Sequence, residues 1–510
     1  MTHSHGKVFL VGGGPGDPGL ITLRGVQCLA RADAVLYDYL VNPRILQHAP
    51  AAAELICLGR HGRDRIVPQA EINQRMVNLA REGKTVVRLK GGDPVIFAHA
   101  AEEIAALEAA GISYEIVPGI TAALAAGSYA GIPLTQGEAA SAVALVTGHE
   151  RADKGVTSLN YPALAAFPGT LVFYMGVTTV AQWSEQLLAA GKPAETPAAI
   201  VRRCSWPDQE TIRCTLGTLA AEVAARRLRP PALVIVGPVA ALKSRVDWFA
   251  QRPLIGKRIL ATRAAHQADP LTTALEELGA QVVSQPAIEI GPPDDWAPVD
   301  QALNELARYD WLVFSSANGV RAVLDRLLKS RDLRAVAAVK LAAIGPGTAE
   351  ELTRYHLRAD LVPSEYRAEA LAAALNAALA PGSRLLLARA SRGREVLSEQ
   401  LGAAGHQVDQ VVVYASRDVA APDDDVAEQL RAGRIDWVTV TSSAIARSLV
   451  KLFGEDLKNV RLASISPVTT ATLAELGLRP AAEAKTYTLS GLVDAILAAE
   501  AADPSPGRRA

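Results

Sequence analysis

Short runs rich in β-branched residues, most of them ending in glycine, alternate along the whole chain with longer Ala/Leu/Glu stretches of helical period. The first half contains KVFLVG (7–12), TVVRLKG (85–91) and ALVIVG (232–237), and the alternation resumes with WLVFSS (311–316) and WVTVTS (437–442). Runs of this kind are typical of buried strands, and a glycine at the end of a run marks the loop that follows. The alternation predicts α/β units built on mostly parallel sheets.

Length and charge limit what these units can bind. The chain has 510 residues, of which 49% are hydrophobic and 21% are charged, which is enough for about three to four compact units with their own cores. Its 52 basic and 53 acidic side chains leave a formal net charge of −1. This balance excludes a global positive field for nucleic acid or an anionic membrane, so an anionic ligand must be bound by a local cluster.

Cysteine usage and the start of the chain indicate a reducing compartment. The four cysteines have no CxxC spacing, which argues against a disulfide framework, and no metal site is predicted. The first ten residues contain no apolar signal segment. The uncharged stretch 116–137 holds two prolines and four glycines, which is unlike a membrane-spanning helix. We therefore expect a soluble, cytoplasmic protein that has no membrane partner.

One segment near the middle divides the chain. VDWFAQRPLIGK (246–257) is punctuated by proline and glycine and lacks helical period. It predicts a first domain over residues 1–248, a linker at 249–256 and a second domain over 257–498. The remaining residues, 499–510, are expected to form a disordered tail.

The second half contains an internal repeat. The segment that starts at Trp311, WLVFSSANGVRAVL, matches the segment WVTVTSSAIARSLV that starts at Trp437. Further along, AAIGPGTAEEL (342–352) matches ASISPVTTATL (463–473). The repeat predicts duplicated strand–turn–helix units in two similar lobes, and clefts between similar lobes are common ligand sites.

The first glycine-rich loop, VGGGPGDPGLITLRG (11–25), follows the opening strand. Gly14–Gly19 formally satisfies GxGxxG, and Asp38 lies at the spacing of a dinucleotide fold's ribose-binding acid. Pro15 and Pro18 remove two backbone N–H donors that a pyrophosphate would use. The loop therefore favours a ligand without phosphate that the backbone approaches closely, and a nicotinamide-dependent dehydrogenase is the alternative.

Two further loops have the same character. RLKGGDPVIF (88–97) is a strand that ends in glycines and an aspartate, and VPGITAALAAGSYAGIPLT (117–135) is an uncharged stretch that follows another strand. Loops at the carboxyl ends of strands in one parallel sheet meet at a single edge. The three loops are therefore predicted to converge on one crevice.

Seven motifs in the first half occur together in one known family. They are GGGPGDPGLITLRG (12–25), DAVLYDYLV (33–41), VVRLKGGDP (86–94), VPGIT (117–121), YAGIPLT (129–135), VTGH (146–149) and FYMG (173–176). Residues 6–248 thus resemble uroporphyrinogen-III C-methyltransferase, a tetrapyrrole methylase. The resemblance implies two α/β subdomains with S-adenosylmethionine bound between them, and methylation of uroporphyrinogen III at C2 and C7 to give precorrin-2. It also implies a homodimer formed through this half.

The resemblance also assigns site residues. The positions that match the family's cofactor contacts are Pro15, Gly91, Gly92, Asp93, Ile96, Thr121, Ala122, Met175, Cys204 and Ala232. Asp38 matches the proposed proton acceptor, and Arg60 stands where the family usually has a proton-donating lysine. A guanidinium stays protonated, so Arg60 is better suited to clamp a carboxylate, and Arg63 in the same basic run is a candidate substrate contact.

Hydroxyl-bearing and glycine loops follow the strands of the second half. They are Ser315–Asn318, Gly345–Thr348, Thr441–Ser443 and Ser466–Thr469. Each is expected to cap the helix that follows it, and the free N–H groups of helix N-termini bind carboxylates well.

The order of motifs in the second half resembles uroporphyrinogen-III synthase over residues 256–498. The supporting pieces are ILATRA (259–264), FSSANGV (314–320), AIGPGTA (343–349), VVVY (411–414), TSSA (441–444), PVTTA (467–471) and TLSGLV (488–493). The resemblance implies a two-lobed α/β fold that closes hydroxymethylbilane without a cofactor. It places Tyr414 where it assists departure of the substrate hydroxyl, and cleft-lining roles fall to Arg263, Ser316, Thr348, Ser442 and Thr469.

Adjacency strengthens both resemblances because the synthase's product is the methyltransferase's substrate. We therefore predict a bifunctional enzyme with tetrapyrrole substrates, in sirohaem or cobalamin synthesis. The alternative for the second half is a tetrapyrrole-binding module without catalysis.

Overall fold

The computed structural model describes residues 6–59, 67–149, 158–242, 248–263, 265–392 and 395–502. The chain divides into two compact units, Met1–Gly256 and Lys257–Ala510. Within the described ranges, no helix combines the length and the apolar character that crossing a bilayer requires.

The described residues of the first unit form two five-stranded sheets. Its strands are β1 (Lys7–Gly12), β2 (Ala34–Tyr37), β3 (Glu54–Cys57), β4 (Val86–Lys90), β5 (Ser113–Val117), β6 (Val143–Thr147), β7 (Thr170–Tyr174), β8 (Pro197–Arg202), β9 (Glu210–Thr215) and β10 (Ala232–Val236). Its helices are α1 (Leu23–Leu29), α2 (Gln69–Arg81), α3 (Ala100–Ala109), α4 (Ala122–Tyr129), α5 (Tyr161–Ala166), α6 (Val180–Ala189) and α7 (Leu219–Ala225).

The first sheet has the order β3-β2-β4-β1-β5, and every neighbouring pair is parallel. Its central strands are buried on both faces because helices cover both sides, and Leu10 and Val87 are fully buried. Since β4, β1 and β5 are neighbours, the three glycine-rich loops that follow them lie side by side at one edge. The predicted convergence of these loops is confirmed.

The second sheet differs from the sequence-based expectation. Its order is β6-β7-β10-β8-β9, and β6–β7 is parallel whereas β7–β10, β10–β8 and β8–β9 are antiparallel. The prediction of mostly parallel sheets is wrong here. A strand covered on both faces reads as an apolar run whichever way its neighbours point, so the pattern carries no information about direction.

Residues 248–256, which we call the closing segment, pack on the first unit. Phe249 is 1% exposed and Leu254 is fully buried, and Phe249 joins the apolar cluster that also contains Tyr129 and Val172. The expected linker at 249–256 therefore does not exist as an unpacked connection. Its large apolar side chains complete a core that the rest of the first unit leaves open.

Two five-stranded sheets are also present in the part of the second unit that the structure describes. Its strands are β11 (Arg258–Ala261), β12 (Gln281–Ser284), β13 (Ile288–Gly291), β14 (Trp311–Phe314), β15 (Lys340–Ala343), β16 (Arg384–Ala390), β17 (Gln407–Asp418), β18 (Trp437–Val440), β19 (Arg461–Ser464) and β20 (Ala482–Glu483). Its helices are α8 (Ala265–Glu277), α9 (Ala297–Asn304), α10 (Ala317–Leu327), α11 (Pro346–Arg354), α12 (Ala368–Ala378), α13 (Val396–Ala403), α14 (Asp424–Arg431), α15 (Ser443–Phe453), α16 (Pro467–Glu475) and α17 (Leu489–Ala502).

The internal repeat corresponds to two lobes, as predicted. One sheet has the order β12-β11-β18-β19-β20 and the other β13-β17-β16-β14-β15. The repeated pieces are β14–α10 with β15–α11 in one lobe and β18–α15 with β19–α16 in the other. The chain crosses between the lobes twice, at β13 and at β17, and these two strands pair antiparallel.

The last helix extends further than expected. Helix α17 ends at Ala502, and Glu500 within it lies 2.8 Å from Lys257 Nζ and accepts a 2.7 Å hydrogen bond from the Trp437 indole. The prediction of a disordered tail is therefore wrong for residues 499–502, because Glu500 ties them to the sheet. The rest of the predicted tail, 503–510, lies outside the described residues.

Candidate functional site

Backbone contacts lock the glycine-rich loops of the first sheet together. Gly14 and Gly92 both have left-handed φ angles, 75° and 72°, and they exchange hydrogen bonds, Gly92 N to Gly14 O at 2.7 Å and Gly14 N to Gly92 O at 3.2 Å. A Cβ on Gly119 would lie 2.2 Å from Gly92 O. The three loops therefore approach one another more closely than any side chain would allow.

Asp93 connects two of these loops by hydrogen bonds. It is 9% exposed, and its carboxylate accepts hydrogen bonds from Val95 N at 2.9 Å and Gly119 N at 3.0 Å. Asp93 was predicted to contact a cofactor. In the structure its two side-chain oxygens connect the loop of Gly91 and Gly92 to the loop of Gly119.

The second sheet contributes the opposite wall through the end of β7. The Tyr174 hydroxyl lies 2.6 Å from Thr121 Oγ1 and accepts a hydrogen bond from Ala123 N at 2.9 Å, and burial raises the pKa of this phenol. These contacts join the start of α4, with Thr121 and Ala122, to the end of β7, and Met175 follows Tyr174 directly in the sequence. Met175 has a positive φ of 52° and is 48% exposed, so its side chain is available at the surface of the wall.

Cys204 and Ala232 lie at the same end of the second sheet. Ala232 is paired with Arg202 in the register of β8 and β10, two residues before Cys204. Cys204 is buried, and burial raises the pKa of its thiol to about 12. The thiol is therefore protonated near neutral pH and forms a small neutral wall rather than a nucleophile.

The tip of the first loop reaches the second sheet. Trp206 Nε1 donates a 3.2 Å hydrogen bond to Pro15 O, and the indole occupies the space above Gly16, where a Cβ would lie 2.3 Å from it. Ile96 packs against the apolar cluster around α4. All ten residues predicted to contact a cofactor thus belong to loops or strand ends that meet between the two sheets.

Asp38 is the exposed end of a buried ionic network. It follows β2, and its Oδ1 accepts a 2.6 Å hydrogen bond from Arg88, whose side chain is 3% exposed. Glu103 Oε1 accepts from Arg88 Nε at 2.9 Å and from Lys90 Nζ at 2.7 Å. Burial lowers the pKa of Lys90, and the charge of Arg88 lowers it further. The network fixes the orientation of the Asp38 carboxylate.

Sequence reasoning missed this network, although a signal was present. Arg88 and Lys90 are two residues apart in a strand, which places both on one face of the sheet. Two buried cations on one face require a buried anion, and Glu103 on α3 supplies it. Arg60 and Arg63, the predicted partners of Asp38 in substrate binding and catalysis, lie outside the described residues.

In the second unit, the hydroxyl loops cap helices as predicted. Ser316 Oγ accepts from Gly319 N at 3.1 Å at the start of α10, and Ser442 Oγ accepts from Ile445 N at 3.2 Å at the start of α15. Ser316 Oγ also lies 3.0 Å from the Tyr414 hydroxyl. The structure therefore brings Tyr414 and Ser316 together in one lobe and places Ser442 at the matching position of the other.

Two of the predicted cleft residues have inward-facing side chains. Thr348 is 6% exposed and Thr469 is 2% exposed, and Thr469 Oγ1 lies 3.2 Å from Ser466 Oγ. Each is the third residue of its helix and lies close to the cap, and a cleft-lining role for these two side chains stays a prediction. Ser466 replaces a glycine at no conformational cost, because its φ of −163° is extended, like the −175° of Gly345.

Arg263 and one cavity are the remaining candidate features of the second unit. Arg263 follows β11 in a partly buried position, and burial lowers the pKa of its guanidinium. In the other lobe, a cavity of ≈ 310 Å³ opens beside Tyr414, and its lining includes Trp296, Arg321 and Lys329. The cavity combines an aromatic wall with cationic side chains.

Comparison with known proteins assigns both units. The family model for Tetrapyrrole (Corrin/Porphyrin) Methylases matches residues 7–220, and the model for Uroporphyrinogen-III synthase HemD matches residues 269–494. The porphyrin biosynthesis protein HemD of Ruminiclostridium josui is 34% identical over 490 residues, which cover 96% of this chain and 95% of that protein. The chain belongs to this family of fused methylases and synthases.

Other relatives match the fused methylase–synthase over shorter stretches. Uroporphyrinogen-III C-methyltransferase of Bacillus subtilis (strain 168) is 35% identical over 355 residues, 69% of this chain and 72% of that protein. A solved structure of uroporphyrin-III C-methyl transferase from Thermus thermophilus is 38% identical, with a TM-score of 0.40, and covers 46% of this chain and 98% of that one. The family matches confirm the predicted fold class and the pairing of a methyltransferase with a synthase, against a dehydrogenase or a second half without catalysis.

Proposed function

We propose that the second unit closes hydroxymethylbilane to uroporphyrinogen III and that the first unit methylates this product at C2 and C7 with S-adenosylmethionine. The observation that carries the proposal is the crevice formed by the three interlocked loops, with Asp38 at the same edge of the first sheet. S-adenosylmethionine, when bound, supplies an electrophilic methyl group.

The residues of the crevice fit this methyl donor. Gly92 has a positive φ, and nothing lies within 4 Å of the place where its Cβ would be, so a ligand can lie directly against the backbone. Residues 12–20, 91–97 and 117–122, which form the loops, contain no lysine or arginine. Thr121, Met175 and Cys204 add neutral walls. A crevice whose loops carry no cation suits an adenosyl and amino-acid ligand better than the pyrophosphate of a nicotinamide dinucleotide.

Asp38 serves as the proton acceptor in this proposal. The pyrrole carbon that gains the methyl group carries no hydrogen, so methylation leaves the ring positively charged until a proton leaves a neighbouring atom, and a positioned carboxylate accelerates that loss. Arg88 engages Oδ1 of Asp38, so we assign the transferred proton to Oδ2. The buried Arg88–Glu103 pair keeps the carboxylate pointing to the loop edge.

In the second unit, Tyr414 and Ser316 act on the substrate hydroxyl. The Tyr414 hydroxyl donates to the departing oxygen, and Ser316, 3.0 Å away, orients it. The adjoining cavity holds a pyrrole ring beside Trp296 while Lys329 faces a carboxylate arm. Arg321 in the same lining is already paired with Glu351. Positioning is sufficient for this reaction, so we propose that this unit needs no cofactor.

A coupled assay with the full chain tests both activities. Hydroxymethylbilane alone is expected to yield the type III isomer, and added S-adenosylmethionine is expected to convert it to a dimethylated product, both resolved by chromatography and mass spectrometry. Formation of only the type I isomer would refute the synthase assignment. If supplied uroporphyrinogen III stays unmethylated in the presence of S-adenosylmethionine, the methyltransferase assignment would be refuted.

Assembly and location remain expectations that rest on the family resemblance. We propose that the chain forms a homodimer through the first unit and works in the cytoplasm, where its four unpaired cysteines would stay reduced. Light scattering of the full chain, which should give twice the 53.7 kDa chain mass, tests the dimer.

A further inference from the structure

A buried tyrosine supports the tip of the first glycine loop. Tyr129, the last residue of α4, is 8% exposed, and its hydroxyl donates a 2.8 Å hydrogen bond to Asp17 Oδ2. Asp17 Oδ1 accepts from Gly19 N at 2.8 Å, and Asp17 N donates to Ser205 Oγ at 3.0 Å. Asp17 thereby fixes the loop that carries Pro15, and Tyr129 fixes Asp17.

The closing segment in turn fixes Tyr129. The rings of Trp248 and Phe249 lie 5.0 Å and 4.9 Å from the Tyr129 ring, between centroids. Trp248 Nε1 donates a 3.0 Å hydrogen bond to Ser128 O, and the Arg252 guanidinium covers the outer side of Phe249 at 3.8 Å. One continuous set of contacts therefore leads from the closing segment through Tyr129 and Asp17 to the glycine loop.

We propose that the closing segment is a positioning element of the methyl-donor site. It acts through the Tyr129 hydroxyl, which sets Asp17 and thus the loop that faces the donor, and it touches neither donor nor tetrapyrrole. The inference rests on the proposed function of the first unit. Residues that connect two enzymes in sequence are, on this view, part of the binding machinery of the first.

Two properties of Tyr129 can be separated by mutation. Its ring contributes packing and therefore stability, whereas its hydroxyl contributes the hydrogen bond to Asp17. Tyr129→Phe keeps the ring and removes only the hydroxyl, so a purely structural role predicts little change in ligand affinity. Hydrogen bonds to a charged acceptor are among the stronger ones in proteins, and we expect affinity to fall about tenfold when this one is lost.

The test is titration calorimetry of the full chain with S-adenosylhomocysteine. Tyr129→Phe is expected to raise Kd about tenfold while kcat at saturating donor stays within about twofold. Tyr114→Phe is the matched control, because Tyr114 also donates a 2.8 Å hydrogen bond to a carboxylate, that of Glu108 on α3, which is not among the donor-site residues. It should bind as the wild type does.

A double-mutant cycle tests the role of the closing segment itself. Phe249→Leu should weaken binding in the wild-type background and add little in the Tyr129→Phe background, because both changes act through one hydroxyl. If Phe249→Leu does not fold, Trp248→Leu replaces it, since Trp248 is half exposed. Equal losses in both backgrounds would overturn the proposal, as would Tyr129→Phe binding as tightly as the control.

Different results would refute the proposed function of the first unit and the role of the closing segment. A wild-type chain that does not bind S-adenosylhomocysteine would refute the proposed function of the first unit. Binding by the wild type, with Tyr129→Phe indistinguishable from Tyr114→Phe, would refute only the role of the closing segment.

Discussion

The candidate sites of the two units are held together by different kinds of contact. In the first unit, backbone atoms of Gly14, Gly92 and Gly119 touch one another, and no side chain fits between them. In the second unit, serine hydroxyls cap the helices that follow strands of two separate sheets. The backbone of the capping residue is extended, so a serine (Ser466) and a glycine (Gly345) can both occupy this position. A site made of backbone contacts constrains its sequence strictly, whereas a site made of helix caps accepts many sequences.

This contrast explains why the sequence motifs of the first half are longer and easier to recognise than those of the second. The first half carries long motifs, because several of their glycines are required by a close backbone approach or by a positive φ angle. The second half carries short fragments whose order, rather than their letters, indicates the fold. Substitution of glycines in both units tests this difference directly.

The largest effect is expected for Gly92→Val. A β-branched residue at a φ of 72° is strained by about 1–3 kcal/mol or more, and its side chain would enter the crevice above the loop. We expect binding of S-adenosylhomocysteine to be lost in calorimetry while bilane closure continues. Gly347→Ala, in helix α11 with open space around it, is the counterpart and should change neither activity; a functional Gly92→Val enzyme would contradict the contrast.

Asp38→Asn should produce the next largest effect. The amide oxygen can still accept from Arg88, but it cannot take a proton, so kcat for methyl transfer should fall about 10²–10⁴-fold. Donor affinity measured by calorimetry should stay the same. Glu115→Gln, which removes a surface carboxylate paired with Lys7 and Arg24, should stay within about twofold of wild type. Unchanged turnover in Asp38→Asn would remove Asp38 from the mechanism.

Tyr414→Phe should affect the synthase less severely. Loss of one donor hydroxyl should decrease kcat for bilane closure about tenfold. The effect is modest because most of the rate acceleration comes from holding the bilane in the right conformation. Tyr309→Phe removes a similar hydroxyl in the same lobe, one that donates to Asp409 at 2.8 Å, and should leave closure unchanged. A decrease in Tyr414→Phe as large as that expected for Asp38→Asn would show that the synthase also depends on a single proton transfer.

The smallest effect concerns how each unit ends. The closing segment of the first unit packs by aromatic contacts, whereas α17 of the second is held by Glu500. Burial alone would raise the pKa of Glu500, but hydrogen bonds from Lys257 and Trp437 and the charge of Arg461 outweigh it and hold the pKa below 4.5. The resulting stability is present above about pH 4.5 and is lost as pH falls through the folded value.

Glu500→Gln should therefore lower the unfolding free energy of the second unit by about 1–2 kcal/mol at pH 7. The difference from wild type should shrink as the pH falls below 4.5 in thermal unfolding experiments. Glu455→Gln breaks an exposed pair with Lys458 and is expected to have almost no effect. A pH-independent loss in Glu500→Gln would mean that packing, rather than charge, anchors α17.

Periodicity and glycine placement were sufficient to predict the first sheet and the convergence of its loops. They were not sufficient for the second sheet, because an apolar run such as ALVIVG (232–237) reads the same in a parallel or an antiparallel neighbourhood. The repeat in the second half predicted two lobes correctly, since duplicated segments must fold alike.

Side-chain partners across the chain were harder to predict. Arg88 meets Asp38 and Glu103 only because β2, β4 and α3 come together in the fold, and no local pattern encodes that meeting. Phe249 looked like part of a linker because proline and glycine follow it, yet its aromatic ring completes a core formed 120 residues earlier around Tyr129. The composition of a segment predicts its local conformation. Whether its side chains are buried depends on gaps in the core formed by distant parts of the chain.

The ion pair between Lys257 and Glu500 has a consequence for how genes can be assembled. It joins the first residue of the second unit to its last described helix, so the described part of this unit begins and ends at one place. A domain of this kind can be appended to another protein or removed from it without rethreading the chain. It is also a suitable host for circular permutation, in which a short glycine linker would join Ala502 to Lys257 and new termini would open in an exposed loop.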